Sequence, residues 1–345
     1  MNKMTANAID GYIGTYYSEK SRGIYHFSFE PESGRMTEPE LFYEAPNAKW
    51  VSVAGSCMAV PVERQGRAGT CFLELKDGAV SREEEILKEQ QTPCYILQKD
   101  GYVYTANYHE GNVMVYHLED GRPYLVKRIE NGERAGCHQI LLHGDYLMVP
   151  CLEQDRIRMF DEKYGFEPAG EIRFPEGSGP RHGVFNREHT RFYVVSEWSN
   201  ELFLFTVKGR EFTLEKKLPV LPEGGKEKYA DAASAAIRLT ENGRFLYISV
   251  RGADILAVFE VKEDETADNW IRPIQHVSCG GVHPRDMILS GDERLLLVVN
   301  RYEGGIVCME RDPVNGHLGA VRHRILLPEG VALAFGEKNR QEAIV

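Results

Sequence analysis

Three segments set a basic or imidazole side chain at one fixed distance from an apolar residue. Arg181 stands four positions before Phe185 in PRHGVF, Arg285 four before Leu289 in PRDMIL, and His138 four before Leu142 in HQILL. A carboxylate, Glu197, closes the next apolar run after Arg181, in RFYVVSE. These side-chain types can bind anions and move protons. A guanidinium is a fork of donors that stays charged at any working pH, suited to an anionic oxygen or a developing oxyanion. An imidazole, with an unperturbed pKa of about 6.5, can take a proton from water. The same residues can also cap strand ends or pair with one another structurally, so the question is whether the chain brings them together.

The elements that must position them are strands. Runs such as GIYHFSF, YVYTANY, RFYVVSE, ELFLFTV, FLYISV and RLLLVVN are β-branched and aromatic, and turn clusters such as QKDG, HGD, TENG and SGDE separate them. No segment keeps a 3.6-residue apolar period over three turns, so an all-β chain is expected. The runs recur as a unit of two apolar strands around a polar turn, a third strand and a less regular fourth. The units span about 11–45, 46–88, 92–131, 136–176, 180–220, 234–277 and 283–330. A four-stranded repeat of this period reads as a seven-bladed β-propeller with four antiparallel strands per blade, a single domain over 1–345. The N-terminal strand and the C-terminal GVALAF are expected to complete one blade jointly and so remove exposed edges.

This topology answers the question in advance. The residue before a blade's first strand and the residue after its second meet at one face, beside the central channel. Arg181 is then expected beside Glu197, His138 with Glu153, Arg285 with Asn300 and Arg301, Ala235 with Arg251, and Tyr95 with Asn107 and His109. A ring of Arg, His and Glu at a channel mouth is a candidate site.

Composition narrows the function classes. A chain of 345 residues, 42% hydrophobic, can bury a large core, and a formal net charge of −11 argues against nucleic acid or an anionic membrane surface as partner. The start, MNKMTANAIDGYIGTYY, has no apolar leader core, and no run is long enough to cross a bilayer. A cytoplasmic location is expected. Seven cysteines, an odd number without CxxC spacing, read as core thiols of a reducing compartment. GxSxG, HExxH, GxGxxG and Walker patterns are absent. His109 and Glu110 lack a further ligand at matched spacing, so neither metal nor cofactor is expected. The charge run KDGAVSREEEILKEQQ reads as a solvated edge or an inter-blade connection.

Nearly the whole chain resembles the lactonase family of seven-bladed propellers, which contains propeller-type 6-phosphogluconolactonases and fungal carboxymuconate cyclases. The resemblance is carried by GYIGTY, TANYHEGNVMVY, CHQILL followed by VP, GPRHGVF, VVSEWSN, SAAIRLTENGRFLYISVRG and GGVHPRDMIL followed by LLVVN, in that order and spacing. It implies a ligand site at the channel mouth. From the cyclase members it implies one His, two Arg and one Glu there, matching His138, Arg181, Arg285 and Glu197. The chain departs from the family pattern in its second unit, which lacks the usual polar turn and Asn-Glu ending, and at Tyr95, where His is common.

The expected reaction is hydrolysis of a sugar-acid lactone, 6-phosphogluconolactone first. The arginines would bind anionic oxygens and His138 would activate water, with Glu197 as orienter or, if desolvated, as the base instead. His182, Arg251, Asn300, Arg301 and His109 are the expected substrate-binding set. The expected partner is a small anionic lactone, and the expected state a monomer or weak homodimer. Two other readings stay open. One is a cycloisomerase acting on a carboxylated muconate, and the other a non-catalytic propeller that binds a partner or a small anion.

Overall fold

The computed structural model describes residues 7–262 and 270–336, so 263–269, inside the sixth expected unit, lie outside the described residues. Each apolar run becomes a strand, and the polar cluster after it closes the hairpin through its own side chains. Asn186 Oδ1 accepts the N–H groups of Thr190 and Arg191 at 2.9 and 2.8 Å, Thr240 Oγ1 accepts that of Phe245 at 3.0 Å, and Ser290 Oγ accepts that of Leu295 at 3.0 Å. These are the local bonds that make Asn, Thr and Ser good turn residues.

Seven sheets of four antiparallel strands result, as a seven-bladed propeller requires. Blade 1 is closed by both ends of the chain: Gly330–Phe335 is its innermost strand, paired with Ile9–Thr15, followed by Gly23–Phe29 and Glu40–Glu44. The innermost strands of blades 2 to 7 are Ser52–Ala54, Tyr95–Lys99, Leu141–His143, Pro180–Phe185, Ala233–Leu239 and Pro284–Leu289. Their second strands are Cys57–Arg64, Tyr102–Asn107, Tyr146–Cys151, Arg191–Ser196, Phe245–Arg251 and Leu295–Asn300.

The core lies between blades, which explains why second strands read as unbroken apolar runs: both faces are covered. In blade 5, Phe192 and Val194 pack with Met148 and Ile157 of blade 4, whereas Tyr193 and Val195 pack with Ile248 and Val250 of blade 6. Truncating a buried phenylalanine such as Phe192 to alanine would cost about 3–5 kcal/mol. The charge run of the second unit forms the outermost strand of blade 2, Ala79–Glu89, where exposed and half-buried residues alternate. Charge on such an edge blocks pairing with another chain. All seven cysteines are free. Among the described residues no helix is long and apolar enough to cross a membrane.

Candidate active site

A repeated backbone device aims side chains at one channel mouth. In blade 5 Pro180 pairs with Ser196 and His182 with Val195, so Arg181 is the extra residue of a β-bulge. Arg285 holds the same place between the pairs Pro284–Asn300 and Asp286–Val299. In blade 4 Cys137 bridges Cys151 and Leu141 pairs with Met148, which again leaves one extra residue on the inner strand, just past His138's neighbour Cys137. A bulge turns a side chain out of the ladder, and bulges cluster beside active sites.

Two residues before each of these stands a left-handed residue: Gly136 (φ 63°), Gly179 (φ 66°) and His283 (φ 67°). Their carbonyls accept the N–H groups of Leu152, Glu197 and Arg301, which ties the end of the second strand to the start of the first. The blade before supplies the other anchor. Asp155 accepts the N–H of Gly179 at 2.7 Å and Asp254 that of His283 at 2.8 Å.

Aligning all blades on this register gives two rings at the mouth. The first holds Val331, Lys49, Cys94, His138, Arg181, Ala235 and Arg285, in blade order. The second holds Tyr16, Glu63, Tyr108, Leu152, Glu197, Arg251 and Arg301.

The chemistry concentrates at blades 4 to 6. Glu197 Oε2 lies 2.8 Å from Arg181 Nε and 2.8 Å from Arg251 Nη2, so one carboxylate is clamped by two guanidinium groups. Arg181, 2% exposed, also donates from Nη1 to the Ala235 carbonyl at 2.7 Å, and Arg251 donates to the carbonyls of Ala233 and Ser234. His182 Nε2 lies 3.2 Å from His138 Nδ1, and both rings are buried.

Burial pushes the Glu197 carboxyl up, but Arg181, Arg251 and Arg285 outweigh it and hold it below the usual carboxylate range. It stays ionised and is a weak base. Burial first, then Arg181, His182 and Arg285, hold His138 well below the ordinary histidine value, so it is neutral at pH 7 with a lone pair to offer. His182 is depressed in the same way by burial, Arg181 and Arg238. Burial and the Arg251 charge bring Arg181 down to about 9, partly offset by Glu197, and it remains a cation at neutral pH.

Blades 7 and 1 form a second cationic pole. The Arg285 side chain has no hydrogen bond or ion pair among the described residues, and its guanidinium lies 5.3 Å over the Tyr16 ring. Arg301 lies 4.4 Å over the same ring and donates from Nε to Glu329 at 2.7 Å. His283 Nε2 is buried without a partner, and burial together with Arg251, Arg285, Arg301 and Arg181 lowers its pKa to about 4.

The sequence-derived residues therefore divide. His138, Arg181, Glu197, His182 and Arg251 converge, and Arg285 and Arg301 share Tyr16. Asn300 is wholly buried and donates to the carbonyls of Cys279 and Gly305, bracing the turn behind Arg301. His109 is exposed at the rim beside Tyr108, the ring centroids 5.3 Å apart. Glu153 is displaced by one position, because a 3₁₀ turn over Leu152–Gln154 starts where the strand ends. Leu152 takes the ring position and Glu153 pairs with Arg134 at 3.1 Å.

Sequence reasoning missed Lys49, Tyr16, Tyr108 and His283. The signal for His283 is that HPRD carries His where GPRH carries Gly at the left-handed position. For Lys49 it was hidden because the turn of its blade, Gly55–Ser56, has no charged residue, unlike the equally short Asp100–Gly101 and Gly144–Asp145 of blades 3 and 4. Asn47 (φ 57°), two residues before Lys49, and Glu329 (φ 61°), two before Val331, extend the left-handed series to five blades; Thr92 and Ala233 hold that place in blades 3 and 6 without a positive φ.

Comparison with known proteins agrees with this architecture. The chain is 28% identical over 346 residues to a 6-phosphogluconolactonase of Bacillus subtilis, covering 94% of this chain and 97% of the relative. A crystal structure of a protein from Lactobacillus plantarum superposes with a TM-score of 0.86 at 25% identity, covering 96% of this chain and all of that one. A putative 6-phosphogluconolactonase of Bacteroides fragilis has the same fold, with a TM-score of 0.83 at 24% identity over 98% of this chain and 100% of that one. The family described as lactonase, 7-bladed beta-propeller, matches residues 10–335. With a seven-bladed fold and a family match that spans nearly all of it, this chain belongs to the lactonase family of seven-bladed propellers.

Proposed function

We propose that this protein hydrolyses a sugar-acid lactone, with 6-phosphogluconolactone, opened to 6-phosphogluconate, as the substrate. The observation that carries the reading is a neutral, buried His138 in the same mouth as the Arg181–Glu197–Arg251 clamp and the unpaired Arg285. Similarity to a 6-phosphogluconolactonase over nearly the whole chain supports it.

In this reading His138 takes a proton from water as the oxygen attacks the ester carbonyl. Arg181 stabilises the oxyanion that develops there, since it is already fixed by Glu197 and the Ala235 carbonyl and needs little reorganisation. The tetrahedral centre then collapses, the ring C–O bond breaks, and the proton held by His138 passes to the leaving alkoxide. Glu197 holds the two guanidinium groups in place. Arg285 meets the anionic substituent. The test is a lactone panel, phosphorylated and unphosphorylated, followed by acid release against the spontaneous rate. Acceleration of 6-phosphogluconolactone opening is expected, and a rate equal to buffer for every lactone sinks the proposal.

A further inference from the structure

Lys49 belongs to the same ring as His138, Arg181 and Arg285, and no carboxylate among the described residues closes an ion pair with it, although the buried Glu89 carboxyl feels its field. Lys49 is 8% exposed and has no side-chain hydrogen bond or ion pair among the described residues. Burying an unpaired ammonium is costly, so a structural role alone leaves the cost uncompensated. Its field reaches the Cys94 thiol and His109 of the neighbouring blade, and also the buried Glu89 carboxyl at the end of blade 2's outermost strand.

The seven-fold order then fixes a geometry. Blades 7 and 2, which carry Arg285 and Lys49, flank blade 1, whose first-ring residue is the uncharged Val331. Blade 1 faces the junction of blades 4 and 5 across the channel, where His138 and Arg181 sit. Two unpaired cations thus bracket one sector, and the proton-transfer pair occupies the opposite one.

We propose that Lys49 is a specificity-determining residue that, with Arg285, grips a phosphate monoester on the far side of the mouth from His138. The inference rests on the lactonase reading for the rest of the substrate, but its chemistry is that of phosphate alone. A lysine is a compact point charge suited to a phosphate oxygen, and Arg285 adds a fork of donors beside it. A ligand held at this sector presents its carbonyl across the channel to His138 and Arg181.

The test uses the full chain, with Lys49→Met, Lys49→Arg and Arg285→Met compared with the parent. Calorimetric titration with 6-phosphogluconate, and separately with inorganic phosphate, reads the site whether or not the protein turns over a lactone. Affinity for both should fall about tenfold or more in Lys49→Met and recover in part in Lys49→Arg, the size expected for one charge-assisted contact. With lactones, KM for the phosphorylated ring should rise at least about tenfold more than KM for the unphosphorylated ring. Unchanged melting temperature in Lys49→Met separates this from a folding defect, and Arg285→Met supplies a second reading if that variant is unstable. Equal phosphate affinity in parent and both Met variants, no binding by the parent, or an equal KM change for both lactones would overturn the assignment. Phosphate binding that weakens in Lys49→Met without any lactone turnover would leave Lys49 in place and remove the lactonase reading instead.

Discussion

The two mouths of the channel are built from the same seven inner strands, yet they treat charge in opposite ways. At the far mouth a cleft of about 690 Å³ is lined by Trp50, Gln98, Arg238, Leu289, Ser290 and Phe335 among others. Its cation, Arg238, is compensated at once: Nη2 donates to Asp286 at 2.5 Å, and Asp286 also accepts the Leu333 N–H at 3.1 Å. At the near mouth the two rings set Lys49, Arg181, Arg251, Arg285 and Arg301 against Glu63 and Glu197. Two of those cations, Lys49 and Arg285, have no ion pair among the described residues. Compensated charge holds blades together, and in the proposed function the uncompensated charge serves a ligand. In a chain of net charge −11 this gathers cationic side chains at one opening, the arrangement that the proposed binding of a small anion calls for.

The contrast can be broken at either end, and the largest effect is expected at the far one. Asp286→Ala leaves a half-buried arginine and a buried N–H unpaired, and should cost about 3–5 kcal/mol of stability, read from urea midpoints. A near-mouth variant that cost as much in stability with no loss of activity would erase the distinction. Arg181→Met should lower kcat/KM for the lactone by about 100- to 1000-fold, the usual loss when a preorganised oxyanion donor is removed. His138→Asn should cost about 100-fold, mostly in kcat, as for other general bases.

The smallest effect sharpens the comparison through pH. His138, His182 and His283 are all held below the ordinary histidine value, His283 at about 4, by burial and the surrounding arginines. The unfolded chain binds protons below about pH 6.5 that the native state refuses, so stability is complete above that value and is lost as pH falls towards 4. Melting temperature measured between pH 7.5 and 4.5 should show this decline, and His283→Gln should flatten it. A flat profile in the parent would mean the histidines are not held neutral.

Much of this was legible in the sequence, for identifiable reasons. Strands and blades follow from apolar runs and turn residues, because each blade buries both faces of its middle strands and so shows the pattern twice. Arg181 and Glu197 could be paired because the positions before a first strand and after a second must meet. Lys49 escaped because the two-residue turn of its blade, Gly55–Ser56, carries no charged residue to mark it, whereas the equally short turns of blades 3 and 4 carry Asp100 and Asp145. Glu153 stays at the mouth face, against Gly136 and Tyr108, but a local 3₁₀ turn gives the ring position itself to Leu152, which no spacing rule reports. The bulges at Arg181 and Arg285 were also invisible, since a bulge is a relation between two strands and not a property of one.

The most direct test of the central claim, that the uncompensated mouth is an ester-hydrolysing centre, is the rate of 6-phosphogluconolactone opening by the parent and His138→Asn beside a buffer control. The parent should exceed the spontaneous rate and the variant should lose most of that gain while keeping its melting temperature. A parent rate equal to buffer, or a folded variant as fast as the parent, would contradict it.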